Sequence, residues 1–311
     1  MSIENNGIFD EVRDYPDIDA KRRYTQLVGI DAVKQRLQKE AQILLRPASL
    51  EDWSVREHGK RISLVDALID RPPLFLFGGD VGTGKTALAE SFADPVARTI
   101  DVPITLYSLS LNSRGSGVVG EMTRLLSAAF SEIRTVARKS ISKDGSPASA
   151  AVLLIDEADA LAQSREFVQM HHEDRAGVNA VIRGIDNLSG SRLPVIVIMC
   201  TNRLQAIDPA IRRRAAATFE FGRPNEEQRM QVLRDGLSEI GFSQEEISEI
   251  AGATGPSQGR SYGYTYSDLT QRLLPTLVLD AFPDSRVTFA KAIEVVKSVS
   301  PTPPFASEAK L

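Results

Sequence analysis

Two hydrophobic patterns alternate along the first 222 residues. Short runs made almost entirely of apolar residues are typical of parallel strands covered on both faces. Longer segments carry apolar residues three and four positions apart, the spacing of an amphipathic helix. The predicted strands are 74–77, 104–110, 151–155, 195–200 and 218–221, and the predicted helices are 31–45, 62–69, 86–93 and 121–139. Strands that alternate with helices indicate an α/β fold with a parallel, doubly wound sheet.

The pattern changes after residue 222, where the strand-like runs stop. Helical spacing alone continues over 226–240, 244–251, 266–282 and 288–299, which predicts a smaller helical subdomain. The polar, acidic start of the chain has little to bury, and the proline-rich end favours extended chain. The predicted organisation is an N-terminal tail at 1–24, a large α/β subdomain at 25–222, a small helical lid subdomain at 223–299 and a C-terminal tail at 300–311.

A glycine-rich turn follows the first predicted strand, and Lys85 and Thr86 open the next helix. Residues 79–86 fit the phosphate-binding loop pattern G-x-x-x-x-G-K-[ST] at every position. Such a loop points successive N–H groups at an anion, its lysine reaches the β- and γ-phosphates, and its Thr hydroxyl holds Mg²⁺. The large subdomain is therefore predicted to bind a nucleoside triphosphate through Gly79, Asp80, Val81, Gly82, Thr83, Gly84, Lys85, Thr86 and Ala87.

Two carboxylates, Asp156 and Glu157, end the strand predicted at 151–155. The carboxyl edge of an α/β sheet is where ligands bind. Asp156 is expected to hold Mg²⁺ together with Thr86, and Glu157 to orient and polarise the attacking water. The alternative is a helix N-terminus enriched in acidic residues. An intact phosphate loop seventy residues earlier favours the catalytic interpretation.

Two further polar features follow the strand at 195–200. Asn202 either senses the γ-phosphate and places the attacking water, or only forms a turn, since Asn favours turns. Arg213 and Arg214 lie in a run of three arginines. They form either a solvated basic face or an arginine finger that stabilises the γ-phosphate of a neighbouring subunit.

Composition limits the classes of function. The net charge is −4, the sequence pI is about 5.6, and no basic stripe occurs, which disfavours a nucleic-acid partner. No apolar run approaches membrane-spanning length, so a membrane partner is not expected. The one cysteine, Cys200, permits no internal disulfide and is expected to be buried, as in a protein of the reducing cytoplasm.

The order and spacing of these motifs resemble those of AAA+ ATPases. The sequence Asp-Pro-Ala-Ile-Arg-Arg-Arg at 208–214 is similar to the protein-remodelling clade, which contains severing and disassembly enzymes. The segments 178–186, 273–275 and 287–289 resemble the pachytene-checkpoint ATPases, which remodel HORMA-domain proteins. The resemblance covers roughly residues 25–299.

The resemblance assigns roles to further residues. Arg213 and Arg214 are expected to reach the ATP of a neighbouring subunit, and Val28 and Gly29 to contact adenine. The loop at 112–120 is expected to line a central pore. Its substrate-contacting residues are predicted to be Gly117, Val118 and Val119.

This chain departs from the family pattern at three places. Val118 and Val119 replace the usual pore-loop aromatic residue. Ser267 stands where the family usually has a nucleotide-sensing arginine, and Arg260 and Arg272 are the two candidates to replace it. Asp80 replaces the usual proline of the phosphate loop and adds a negative charge near the phosphates.

The resemblance implies a ring-forming, homohexameric ATPase that uses ATP and Mg²⁺ to remodel a HORMA-domain partner. The short segment before residue 25 resembles bacterial members, which are linked to antiphage operons that also encode a HORMA protein and a second-messenger nucleotidyltransferase. Two alternatives belong to other classes: a nucleotide-switched scaffold and a DNA-handling AAA+ motor. The acidic balance of charge argues against the DNA-handling motor.

Overall fold

The computed structural model of the chain describes residues 7–111, 120–161 and 171–305. The chain divides into two compact units, described separately below. The sheet unit comprises Met1–Thr25, Ala32–Gly78 and Thr86–Glu220, and the helical unit comprises Gln26–Asp31, Gly79–Lys85 and Phe221–Leu311. The last division falls close to the predicted boundary at 222. Residues 26–31 and 79–85, predicted within the large subdomain, group with the helical unit instead.

Six strands form one sheet in the order β1-β3-β4-β5-β2-β6. They are β1 (Glu11–Tyr15), β2 (Leu74–Gly79), β3 (Ile104–Ser110), β4 (Ala150–Asp156), β5 (Val195–Thr201) and β6 (Ala215–Phe221). The pairs β3–β4, β4–β5 and β2–β5 are parallel, and β1 pairs antiparallel with β3. The predicted α/β fold is confirmed, with a mostly parallel sheet.

The central strands are covered on both faces, as their continuous apolar runs predict. Leu74 to Phe77 and Ala151 to Ile155 are fully buried, and Cys200 is buried in β5 as predicted. The helices of this unit are α1 (Ile18–Gln26), α2 (Asp31–Leu45), α3 (Ala48–His58), α4 (Leu64–Ile69), α5 (Lys85–Ser91), α6 (Ala93–Ile100), α7 (Glu121–Lys139), α8 (His171–Leu188) and α9 (Pro209–Arg212). None of the helices in the described ranges has the length and apolar character needed to cross a bilayer.

The prediction of an N-terminal tail at 1–24 is wrong for its described part. β1 adds an edge to the sheet, and Tyr15 and Phe9 are buried, with the Phe9 ring 5.0 Å from that of Tyr107. Asp17 starts α1, because its carboxylate accepts the N–H of Ala20 at 2.7 Å. An edge strand needs few apolar residues, so the polar composition concealed it.

The helical unit contains α10 (Glu226–Leu237), α11 (Gln244–Ala253), α12 (Leu274–Ala281) and α13 (Phe289–Ser298), as the helical spacing predicts. Capping boxes begin two of them: Asn225 with Gln228 starts α10, and Ser243 with Glu246 starts α11. A π-helical turn, Asp268–Leu273, precedes α12. Pro275 lacks the N–H that would continue α-helical bonding back into that turn.

The predicted C-terminal tail is irregular in secondary structure, but its described part is bound to the helical unit. Residues 301–305 have no regular secondary structure, as expected of a proline-rich segment. They are nevertheless bound within the helical unit: Pro301 is buried, and the backbone N–H and hydroxyl of Thr302 donate to the carboxylate of Asp268 at 3.0 and 2.7 Å. The prediction missed these contacts because they join residues 34 positions apart.

Candidate functional site

The phosphate loop runs from Gly79, where β2 ends, to Lys85, where α5 begins. Gly79 and Gly82 have positive φ angles of 152° and 72°, a region that favours glycine. A Cβ on Gly79 would overlap the carbonyl of Phe221. A Cβ on Gly82 would lie only 2.7 Å from Thr265 Oγ1. Both glycines are therefore required by close packing as well as by the turn.

Lys85 is buried, and its side chain stays at the loop. Its Nζ donates to the carbonyl oxygens of Gly79 at 3.0 Å and Asp80 at 2.7 Å. The buried Thr83 hydroxyl donates to the Asp80 carbonyl at 2.7 Å. These bonds fold the loop back on itself, so that one positive charge is held against consecutive carbonyls. The predicted contact of Lys85 with phosphates stays a prediction.

Asp80 carries the negative charge that distinguishes this loop. Arg223 Nε donates to its Oδ2 at 2.7 Å, and the N–H groups of Phe305 and Val81 donate to its Oδ1 at 3.0 and 2.9 Å. Burial raises the pKa of Asp80, but the hydrogen bonds from Phe305 and Arg223 outweigh it, and the net pKa is lowered. The carboxylate is therefore ionised and fully partnered at neutral pH.

In the sheet unit, Asp156 and Glu157 lie at the carboxyl end of β4, both half-buried. The Glu157 N–H donates to Asp156 Oδ1 at 2.8 Å, and the Ser110 hydroxyl donates to Glu157 Oε2 at 2.6 Å. Glu157 has a φ of 55°, in the left-handed region that a non-glycine residue rarely adopts. Such strain is typical of functional sites, where the surroundings hold a side chain in place.

Asp159 connects this strand end to the next. It is buried, and its Oδ1 accepts the Thr201 hydroxyl at 3.3 Å and the Asn202 N–H at 3.2 Å. Asn202 is thereby fixed directly after β5, next to the strand that carries Asp156. The sequence analysis missed Asp159. Its position three residues after Asp156 was a usable signal, since an acidic residue on a short buried turn requires partners.

The two candidate finger arginines differ in the structure. Arg214 binds Asp186 of α8 in the same chain, with donor–acceptor distances of 2.6 and 3.0 Å. Arg213 is exposed. Both follow α9, which Asp208 caps by accepting the Ala210 N–H at 2.7 Å. Of the two side chains, Arg213 is the one presented to solvent.

Val28 and Gly29 lie in the helical unit. The Gly29 carbonyl accepts Gln228 Nε2 at 2.6 Å, and a Cβ on Gly29 would lie 2.8 Å from the Tyr266 hydroxyl. Burial raises the pKa of Tyr266 to about 12. Val28 packs against the apolar core of this unit. The turn predicted to contact adenine is therefore built onto α10 and the segment before the π-helical turn.

Both candidates for the lid arginine have partners in the helical unit. Arg272 donates to Asp268 at 2.8 Å, and Arg260 donates to the Gly255 carbonyl at 2.7 Å. Ser267 instead meets the phosphate loop through its backbone, since its N–H donates to the Gly82 carbonyl at 3.1 Å. The predicted pore-loop residues Gly117, Val118 and Val119 lie outside the described residues.

Several known proteins are similar to this chain. Residues 75–223 match the family model for the ATPase family associated with various cellular activities (AAA). The chain is 48% identical to CD-NTase-associated protein 6 of Escherichia coli (strain MS 115-1) over 298 residues, covering 96% of each sequence. It is 37% identical to CD-NTase-associated protein 6 of E. coli (strain KTE188), covering 97% of this chain and 98% of the other.

Solved structures extend the comparison. A chain in the structure of the E. coli MS115-1 HORMA:CdnC:Trip13 complex is 48% identical, with a TM-score of 0.88, and covers 96% of this chain and 97% of its own. The structure of Rhizobiales Trip13 is 42% identical, with a TM-score of 0.75, and the match covers 95% of this chain and 100% of the Rhizobiales chain. C. elegans PCH-2 shares the fold, with a TM-score of 0.65 at 20% identity. The match covers 92% of this chain and 73% of the PCH-2 chain. The chain belongs to the AAA ATPase family, as a homologue of CD-NTase-associated protein 6, the bacterial Trip13.

Proposed function

We propose that this protein is a Mg²⁺-dependent ATP hydrolase that assembles into a ring and remodels a HORMA-domain protein. The observation that carries the proposal is the 48% identity, over 96% of the chain, to a chain of the HORMA:CdnC:Trip13 complex. The phosphate loop and the strained Glu157 supply the chemistry that such a role requires. We extend to this chain the partners of that complex, a HORMA protein and the nucleotidyltransferase CdnC.

The nucleotide-binding roles follow from the chemistry of the donors. Lys85 and the N–H groups of residues 80–86 bind the phosphates. The Thr86 hydroxyl and Asp156 carboxylate are hard oxygen donors of the kind that Mg²⁺ prefers, so these residues fit the ion. When bound, Mg²⁺ neutralises charge on the β- and γ-phosphates. Val28 and Gly29 are assigned to the adenine.

Hydrolysis needs a base and a means of placing water. Glu157 takes the proton of the attacking water, while the Ser110 hydroxyl, which donates to its Oε2, holds the carboxylate in place. Asn202, anchored through its N–H by Asp159, helps to place the water. The charge that develops on the γ-phosphate is then stabilised by Lys85 in the same chain.

Assembly completes the site in this proposal. Arg213, which is exposed, acts on the ATP of a neighbouring subunit, and Arg214 supports the segment through Asp186. A guanidinium supplied in trans makes turnover depend on the ring, which we propose to be a homohexamer. Residues 117–119 are proposed to contact the partner in the pore. The biological setting is an antiphage signalling system in the cytoplasm.

The alternatives predict different results. A nucleotide-switched scaffold would bind ATP and assemble, but its HORMA partner would not accelerate turnover. A DNA-handling motor would bind DNA in a strongly salt-dependent manner, which the net charge of −4 disfavours.

The deciding experiment measures ATP turnover with Mg²⁺, with and without a HORMA-domain protein from the same operon type. We expect stimulation of severalfold, and loss of turnover when EDTA removes the ion. A control protein of similar size without a HORMA domain should not stimulate turnover. Equal turnover with and without the partner would contradict the remodelling function and favour the scaffold.

A further inference from the structure

Asp80 and Arg223 form an ion pair inside the helical unit, 143 residues apart in sequence. A second guanidinium nitrogen of Arg223 lies 2.6 Å from the carboxylate oxygen that Nε also contacts. The side chains are only 14% and 18% exposed for Arg223 and Asp80. An ion pair this sheltered from water is screened far less by salt than a surface pair.

Arg223 is held in place by contacts of its own. Its third nitrogen donates to the Gly263 carbonyl at 2.7 Å, and its guanidinium carbon lies 5.0 Å from the centre of the Tyr262 ring. A planar guanidinium that is stacked and bonded on several sides loses little further freedom when it binds a carboxylate. The cation is therefore preorganised for Asp80.

The C-terminal segment at 301–305 provides the other contact with Asp80. Its Phe305 N–H donates to Oδ1, whereas Phe305 as a whole residue is 41% exposed. The segment is anchored upstream, where Thr302 binds the buried Asp268. Phe305 therefore contributes through its backbone, and the chain must reach residue 305 for the contact to exist.

The charge of Asp80 poses a problem for a phosphate-binding loop. A loop that attracts phosphates through N–H groups, a helix N-terminus and Lys85 is weakened by a carboxylate at its second position. Arg223 supplies the opposite charge, and the contacts to both carboxylate oxygens fix the orientation of the side chain. The Ser267 N–H to the Gly82 carbonyl fixes the same loop at a second point.

We propose that Asp80 and Arg223 are a positioning pair for nucleotide binding, completed by the backbone of the C-terminal segment at 301–305. The pair neutralises the carboxylate and holds the phosphate loop in its binding shape. The two side chains act on the shape and charge of the loop and take no part in proton transfer, so their effect falls on affinity for nucleotide rather than on the chemical step. This assignment rests on the proposed binding and hydrolysis of ATP.

The test compares Arg223→Ala, Asp80→Ala and the double variant. Arg223→Ala leaves an unpaired carboxylate in the loop, so the Kd for Mg²⁺–ADP and the KM for ATP should rise at least tenfold, with kcat changed less than threefold. Asp80→Ala should raise Kd by a smaller factor. The double variant should bind ADP more tightly than Arg223→Ala, because no unpaired carboxylate remains, and more weakly than the parent, because the pair no longer holds the loop.

The exposed pair Asp280–Lys291 gives matched controls, since Lys291→Ala and Asp280→Ala remove the same charges elsewhere in the helical unit. Both should bind ADP like the parent. A pair with a merely structural role would make the double variant the weakest binder and the least heat-stable. That order of affinities, or an unchanged Kd in Arg223→Ala, would overturn the proposal.

Two truncations test the C-terminal segment. Ending the chain after residue 304 removes the Phe305 N–H but keeps Thr302 on Asp268, and it should raise the Kd for ADP, whereas ending the chain after residue 305 should not. In Asp80→Ala, hydrogen exchange at the Phe305 amide should accelerate. Equal ADP affinity of the two truncations would remove the segment from the site. Binding of ADP is measured in every case and does not require turnover. A parent protein that binds ADP but does not hydrolyse ATP would contradict the proposed function, while the ADP affinities of the variants would still decide this proposal.

Discussion

The Ser110 hydroxyl donates a 2.6 Å hydrogen bond to the carboxylate of Glu157, the residue whose backbone is strained into the left-handed region. Ser110 and Asp156 are register partners across β3 and β4, so the bond joins two adjacent strand ends. One carboxylate oxygen of Glu157 is thereby fixed. The sheet itself thus determines where the proposed base can point.

We predict that Ser110→Ala lowers kcat for ATP by about threefold to tenfold, because a hydrogen bond to a charged group contributes about 1.5–3 kcal/mol, of which only part affects the transition state. The KM should stay within about twofold, since Ser110 does not belong to the phosphate loop. Steady-state kinetics with ATP measure both constants. Ser110→Thr keeps the hydroxyl and serves as the control. A kcat in Ser110→Ala equal to that of the parent would show that the bond does not position Glu157.

We predict that Asp268→Asn lowers the free energy of unfolding by about 1–3 kcal/mol at neutral pH, because Asp268 accepts the N–H groups of Thr265 and Thr302 while buried. Burial raises the pKa of this carboxyl, but those hydrogen bonds outweigh it and the net pKa is lowered from the usual range of an aspartate. The ionised form therefore stabilises the fold above about pH 4, and the stabilisation is lost as the pH falls through the lower folded-state pKa.

Urea unfolding at neutral pH and at about pH 3 measures this difference. The difference in the free energy of unfolding between the parent and Asp268→Asn should be smaller at the lower pH. Asp280→Asn removes a charge from an exposed position and serves as the control. A difference in the free energy of unfolding that is the same at both pH values would contradict the ionic role of Asp268.

We predict that Gly184→Ala destabilises the sheet unit by about 1–3 kcal/mol, because its Cβ would overlap the buried ring of Phe130 where α8 packs on α7. Gly252→Ala is the matched control. It lies in α11 with open space around its missing Cβ, so alanine there should leave stability unchanged or raise it by up to ~1 kcal/mol. Thermal unfolding of the two variants against the parent tests the contrast. Equal melting temperatures for both variants would contradict the close packing of the two helices.

The sequence was sufficient for features that lie within one stretch of chain. The phosphate loop and the Asp156–Glu157 pair were recognisable because each joins an apolar run to polar residues over fewer than fifteen positions. The alternation of strands and helices likewise predicted the sheet, since period and length are local signals.

Features that depend on distant pairing were not predictable in this way. The Ser110–Glu157 bond needs the register of β3 against β4, and the Asp80–Arg223 pair joins residues 143 positions apart. β1 was missed because an edge strand buries too little to show an apolar pattern. Asp80 looked like an unfavourable charge until its partner was located in space.

We propose above all that this chain hydrolyses ATP with Glu157 as the base. The most direct measurement compares Mg²⁺–ATP turnover and ATP binding in the parent and in Glu157→Gln. The amide keeps the shape and can still accept the Ser110 hydroxyl, but it cannot take a proton. We expect the variant to bind ATP within about threefold of the parent and to lose at least about a hundredfold in turnover. Hydrolysis by Glu157→Gln at the parent rate would contradict it.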